Sequence, residues 1–169
     1  MSDKMVDIFL LPGDYFVGDG QHRVRTVVGS CVAVTLWHPR MKVGAMAHFL
    51  LPGDKRRRAN PAAAATYGAD AVPLLVKGLE QLQIPVRQCQ AKVFGGGAMF
   101  GDLMRGSDVG RKNGDCARDL LQQHGITVVS ESLYGEGHRQ VIFNVRTGEV
   151  LCRQMHPDMV PALPARALV

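Results

Sequence analysis

The stretch VRTVVGSCVAVTLW, residues 24–37, sets Gly29-Ser30-Cys31 between two runs rich in β-branched side chains. Branching at Cβ suits an extended, half-buried backbone, while a Gly-Ser pair interrupts it. The spacing therefore predicts two strands, Val24 to Val28 and Val32 to Trp37, or one strand broken by a tight turn. "HPR" at 38–40 ends the second run, and Lys42 to Leu50 reads as its antiparallel partner. Counting outward from the turn between Trp37 and Lys42 brings Cys31 level with His48.

Further along, Val72, Leu75, Val76, Leu79 and Leu82 recur at helical spacing, which predicts an amphipathic helix over Asp70 to Gln83 with Pro73 in its first turn. A short strand in "AKVFGGGAMF" runs into three glycines. Asn113 is read as the N-cap of a second helix that reaches His124 and stops at Gly125. Ile126 to Ser130, Arg139 to Asn144 and Glu149 to Arg153 read as strands, the last two joined through "RTGE".

A chain of 169 residues is enough for one core and short for two. With 46% hydrophobic and 21% charged residues it has the composition of an ordinary globular domain. No apolar run is long enough to span a bilayer and the N-terminus has no secretory h-region, so neither membrane insertion nor export is expected. Cys31, Cys89, Cys116 and Cys152 form no CxxC pair, which argues against a zinc ribbon or a thioredoxin motif and fits free thiols in the cytoplasm. The net charge of +5 permits an acidic partner. "KRRR" at 55–58 is read as a solvated loop, and 6% aromatic residues without an interleaved stacking pattern argue against nucleic acid. "FGGGAMFG" at 94–101 lacks the GK[ST] of a phosphate loop, and no His, Cys, Asp and Glu set has metal-ligand spacing.

Cys31 and His48 carry the chemistry worth weighing. A thiol becomes a nucleophile when a neighbouring base takes its proton, and histidine is the common partner. Gly29 and Ser30 leave room for a substrate beside the thiol, and N–H groups in such a turn suit an oxyanion. The glycines at 95 and 96 read as a turn that lets the backbone pass close to a neighbouring element or to substrate. A third group would orient the imidazole: Thr26, a backbone carbonyl or Ser30. The competing reading is two core residues, since free cysteine is among the most buried residue types. Cys89 in a polar loop, Cys116 on a helix face and Cys152 in a late strand read as structural.

Taken in order, "GSCVAV", "GAMAHFLLP", "KVFGGGAMF", "VGRKN" and "GEGHR" resemble the CheD family, the chemoreceptor glutamine deamidases of bacterial chemotaxis. The likeness starts near "LPGDYFV" at 11–17 and runs to about Arg153. It implies a single α/β domain over residues 1–153, an α+β layering of packed mixed sheets flanked by helices, followed by a proline-containing extension over 154–169. It implies a Cys-His-Thr site, matched here by Cys31, His48 and Thr26, with Gly29, Ser30, Gly95 and Gly96 in the vicinity of substrate and oxyanion. No metal or organic cofactor is implied. The expected reaction is hydrolysis of a receptor glutamine side chain to glutamate on the cytoplasmic helical domain of a chemoreceptor. The family also implies a CheC-type phosphatase as a partner, and the alternative role is a non-catalytic regulatory module that binds it.

Overall fold

The computed structural model describes residues 4–53, 63–99 and 108–155. The basic run at 55–58 and the chain beyond residue 155 lie outside them. Nine strands and two helices occupy the described residues, in the order β1 (Val6–Phe9), β2 (Tyr15–Asp19), β3 (His22–Val28), β4 (Val32–His38), β5 (Val43–Phe49), α1 (Gly68–Gln81), β6 (Gln90–Gly95), α2 (Val109–Gln123), β7 (Thr127–Leu133), β8 (His138–Asn144) and β9 (Val150–Met155). A single 3-10 turn, Val86–Gln88, leads into β6.

The Gly29-Ser30-Cys31 turn decides the architecture, because the strands on its two sides belong to different sheets. β3 lies in a four-stranded sheet of order β1-β3-β8-β9, and β4 is the centre of a five-stranded sheet of order β2-β5-β4-β6-β7. Both sheets are mixed: β1 runs parallel to β3 and β6 parallel to β7, while the other pairs are antiparallel. Parallel neighbours need a crossover, and α2 supplies the one between β6 and β7.

The result is three layers: sheet, sheet, helices. β4 is buried on both faces, as the middle layer requires. Val32, Val34 and Leu36 join Leu75, Leu79 and Leu121 in a core against the helices, while Ala33 joins Val24, Val28, Met46, Phe94, Val141 and Phe143 between the sheets. Each fully buried Leu or Phe contributes about 1.5–3 kcal/mol. Helices cover the five-stranded sheet on one face only, an α+β arrangement of mixed sheets. No helix among the described residues is long and apolar enough to cross a membrane.

Several expectations need correction. β1 and β2 went unread, because four- and five-residue edge strands give too short a pattern to stand out. α1 begins two residues before Asp70, at Gly68. β9 runs to Met155, two residues past the expected strand end at Arg153. Asn113 is not an N-cap: α2 begins at Val109, and Asn113 lies on its buried stripe of Gly110, Gly114, Ala117 and Leu121. Apart from Leu121, that stripe is small or polar and carries almost no hydrophobic signal. Cys89 is 2% exposed in the helix-side core rather than in a polar loop.

Candidate active site

β4 and β5 pair so that Ala33 faces His48 and Val32 faces Phe49. Cys31 is therefore not level with His48. The turn has the expected four residues but sits one residue later, since pairing closes at His38 and Val43, and Cys31 stands two residues beyond the position opposite the histidine. A two-residue offset keeps both side chains on one face, as diagonal neighbours. That face looks into the space between the sheets.

Thr26 reaches the same space from the opposing sheet. It is 1% exposed on β3, and its Oγ1 lies 2.8 Å from the carbonyl oxygen of Leu10 and 2.7 Å from Nδ1 of His48. A carbonyl only accepts, so the hydroxyl proton goes to Leu10 and the second contact is made by Nδ1–H of His48 donating to Oγ1. This arrangement fixes the tautomer and leaves the lone pair on Nε2. Nε2 is buried and has no hydrogen-bond partner among the described residues.

Desolvation governs both titrating groups. Burial pushes the His48 imidazole down to about 4. It pushes the Cys31 thiol up to about 11, against a smaller opposing pull from the residue's own backbone N–H. At neutral pH the pair thus rests as thiol and neutral imidazole, not as an ion pair. A base poised to accept a proton and a thiol holding one are what concerted attack requires.

The glycines at 95 and 96 brace the cysteine turn rather than presenting donors. The N–H of Gly96 donates to the Cys31 carbonyl and that of Gly97 to the Gly29 carbonyl, each at 2.9 Å. Gly95 has φ +114, and a Cβ there would lie 2.2 Å from the Cys31 carbonyl oxygen, so no other residue fits. The Ser30 carbonyl accepts from the side-chain amide of Asn113. By contrast the N–H of Cys31 has no backbone acceptor among the described residues and lies beside its own sulfur. That N–H is a hydrogen-bond donor beside the thiol sulfur.

Two contributors escaped the sequence reading. Asn113, inside α2 rather than at its start, is one of them. Arg139, 2% exposed, points inward on β8 with Val141 and Phe143 and donates to Ser132 Oγ and to the carbonyls of Gly95 and Tyr134, which fixes the glycine turn from behind. An arginine at an inward strand position is the signal that marks it.

The sequence is similar to known proteins of one family. The family model described as CheD chemotactic sensory transduction matches residues 50–154. A probable chemoreceptor glutamine deamidase CheD 2 of Albidiferax ferrireducens is 50% identical over 91% of this chain and 90% of its own length. The corresponding CheD 1 of Chromobacterium violaceum is 38% identical over 87% of this chain and 77% of its own. That of the archaeon Methanococcus vannielii is 37% identical over 84% and 91%. A solved Neisseria meningitidis protein of the DUF152 family aligns over 78% of this chain and 63% of its own at 15% identity, with a TM-score of 0.41, a distant likeness only. The chain belongs to the CheD family.

Proposed function

We propose that this protein hydrolyses glutamine side chains of chemoreceptors to glutamate, with Cys31 as nucleophile, His48 as base and acid, and Thr26 as the group that orients the imidazole. The observation that carries the reading is the buried contact between Thr26 and His48 Nδ1, which leaves an unprotonated Nε2, without a partner among the described residues, on the face that Cys31 shares.

The substrate carboxamide carbon is attacked by sulfur as the thiol proton passes to Nε2 of His48. The carbonyl oxygen becomes an oxyanion, held by the N–H of Cys31. Collapse of the tetrahedral intermediate breaks the C–N bond, and the nitrogen leaves as ammonia with the proton from His48. A water then attacks the thioester, again giving its proton to Nε2, and the thiol is regenerated as glutamate departs. Each turnover consumes one water and releases one ammonia. The product differs from the substrate by one negative charge on a helical domain in the cytoplasm.

The test is mass spectrometry of a chemoreceptor cytoplasmic fragment, from the same organism, incubated with the protein and with its Cys31→Ala variant. A gain of about one mass unit per converted glutamine, amide to acid, is expected with the intact thiol alone. Conversion that persists in the variant would remove Cys31 from the reaction.

A further inference from the structure

The ladder between β4 and β5 runs through His48 and stops before it reaches Cys31. Val32 and Phe49 are the last paired residues. Beyond them the two chains diverge: the N–H of Leu50 donates to Thr66, and the Cys31 carbonyl takes the N–H of Gly96. The carbonyls of Ser30 and Leu50, one residue before the cysteine and two after the histidine, lie past the last backbone rung. A single side chain bridges them. Asn113 Nδ2 lies 2.9 Å from the Ser30 oxygen and 2.8 Å from the Leu50 oxygen.

A neutral primary amide is suited to this role. Its NH2 carries two donors in one plane, one for each carbonyl, where a hydroxyl offers one donor and a carboxylate none. The amide orientation follows from the partners, since the flipped form would set Oδ1 against two carbonyl oxygens. The side chain is 0% exposed, and Oδ1 is buried without a partner among the described residues. Asparagine inside a helix and a buried acceptor left unmatched both disfavour this residue on stability grounds. The helix is also brought unusually close here: a Cβ at Gly110 would lie 2.5 Å from the Gly97 oxygen. The placement is explained by what Asn113 joins.

We infer that Asn113 is a positioning residue for the Cys31 and His48 pair, a side-chain rung that sets the spacing of the two chain segments where the backbone ladder has stopped. The inference rests on the reading of Cys31 and His48 as the reacting pair. Its primary readout is nevertheless independent of receptor deamidation.

The test compares the wild-type protein with Asn113→Ala and Asn113→Ser, measuring alkylation of each cysteine by iodoacetamide across pH 7 to 11 by peptide mass mapping. Cys89, buried in the other core and also pushed up to about 11, serves as the internal reference for global loosening. The expected result is Cys31 alkylation at pH 8 at least about tenfold faster in the variants, because an unclamped turn admits water to the thiol, with Cys89 unchanged. On a receptor fragment, kcat should fall about a hundredfold with KM within about twofold, as for a misplaced reacting group. An unchanged Cys31 profile, or Cys89 accelerating in parallel, overturns the inference. The serine variant fills more of the space and keeps the comparison available if the alanine variant does not fold. Should the wild-type protein fail to deamidate, the functional reading falls, while the alkylation profiles still decide the role of Asn113.

Discussion

The two faces of β4 are built for different ends. Toward the helices, Val32, Val34 and Leu36 meet an apolar layer in which Leu75, Leu79 and Phe49 are fully buried, and the buried polar side chains, His38 and Asn113, stand at the strand ends. Toward the other sheet, Ala33 and Met46 share their layer with Thr26, Thr35 and His48, all at most 2% exposed. One face is a packing surface. The other accepts the desolvation of polar groups, which is costly unless they are paired. His48 is only half paired: Nδ1 meets Thr26, and Nε2 has no partner among the described residues. The cysteines carry the same lesson. Burial raises the thiols of Cys31, Cys89 and Cys116 alike, to about 11, so acidity does not single out Cys31. What singles out Cys31 is its place on the face with the histidine.

The comparison breaks most sharply under paired substitutions. His48→Gln removes the base from the inter-sheet face and should lower kcat for receptor deamidation about a thousandfold, within the range for loss of general acid–base catalysis. Leu75→Ala empties part of the helix-side core and should cost about 2–5 kcal/mol of stability, leaving kcat per folded molecule within about threefold. Denaturant melts and single-turnover rates on the same preparations separate the two. If Leu75→Ala abolished turnover in folded protein, the two faces would not be functionally distinct.

The same division explains how far the sequence could be read. Strand and helix patterns depend on apolar periodicity, so β4, β5 and α1 were legible in Val32 to Trp37, Lys42 to Leu50 and the leucine stripe. Cys31 and His48 were legible because a thiol and an imidazole are rare in such runs. Their exact register was not, since it depends on where the hairpin closes, and His38 pairs with Val43 rather than Trp37 with Lys42. Thr26 stood among three choices for the orienting group because its role depends on bringing β3 of one sheet over β5 of the other. A turn residue at Gly29 announces a change of direction but not a change of sheet. Asn113 was hidden for a related reason: local sequence rules describe an asparagine by its own helix, and this one acts on two carbonyls 83 and 63 residues away.

A smaller effect sharpens the electrostatic half of the comparison. His48 is held down to about 4 in the folded protein, whereas its ordinary value is 6.5. Between those values the unfolded chain binds a proton that the native state refuses, so stability falls as pH drops through that window and is unaffected above it. The full shift corresponds to about 3 kcal/mol. Urea melts from pH 7 to pH 4 should therefore show a falling limb that is shallower by about this amount in His48→Gln. Parallel limbs in the two proteins would mean that the imidazole is more hydrated than its 2% exposure indicates.

The mildest change tests what Thr26 adds. Thr26→Val keeps the β-branched shape on β3 but puts a methyl group where Oγ1 stood, which leaves the Leu10 carbonyl and Nδ1–H of His48 buried without that partner. Such unmet groups cost about 1–3 kcal/mol, and the melting transition should shift accordingly. The catalytic consequence is separate. Without an acceptor at Nδ1 nothing fixes the tautomer, and any fraction of imidazole that carries its proton on Nε2 has no lone pair to offer the thiol. A loss of about tenfold in kcat follows if the two tautomers differ by about 1.4 kcal/mol in favour of the wrong one. Thr26→Ser, which retains the hydroxyl, should restore both stability and rate toward wild type. Recovery of stability without recovery of rate would show that the hydroxyl serves Leu10 and not His48, and the orienting role would have to be sought elsewhere on the inter-sheet face.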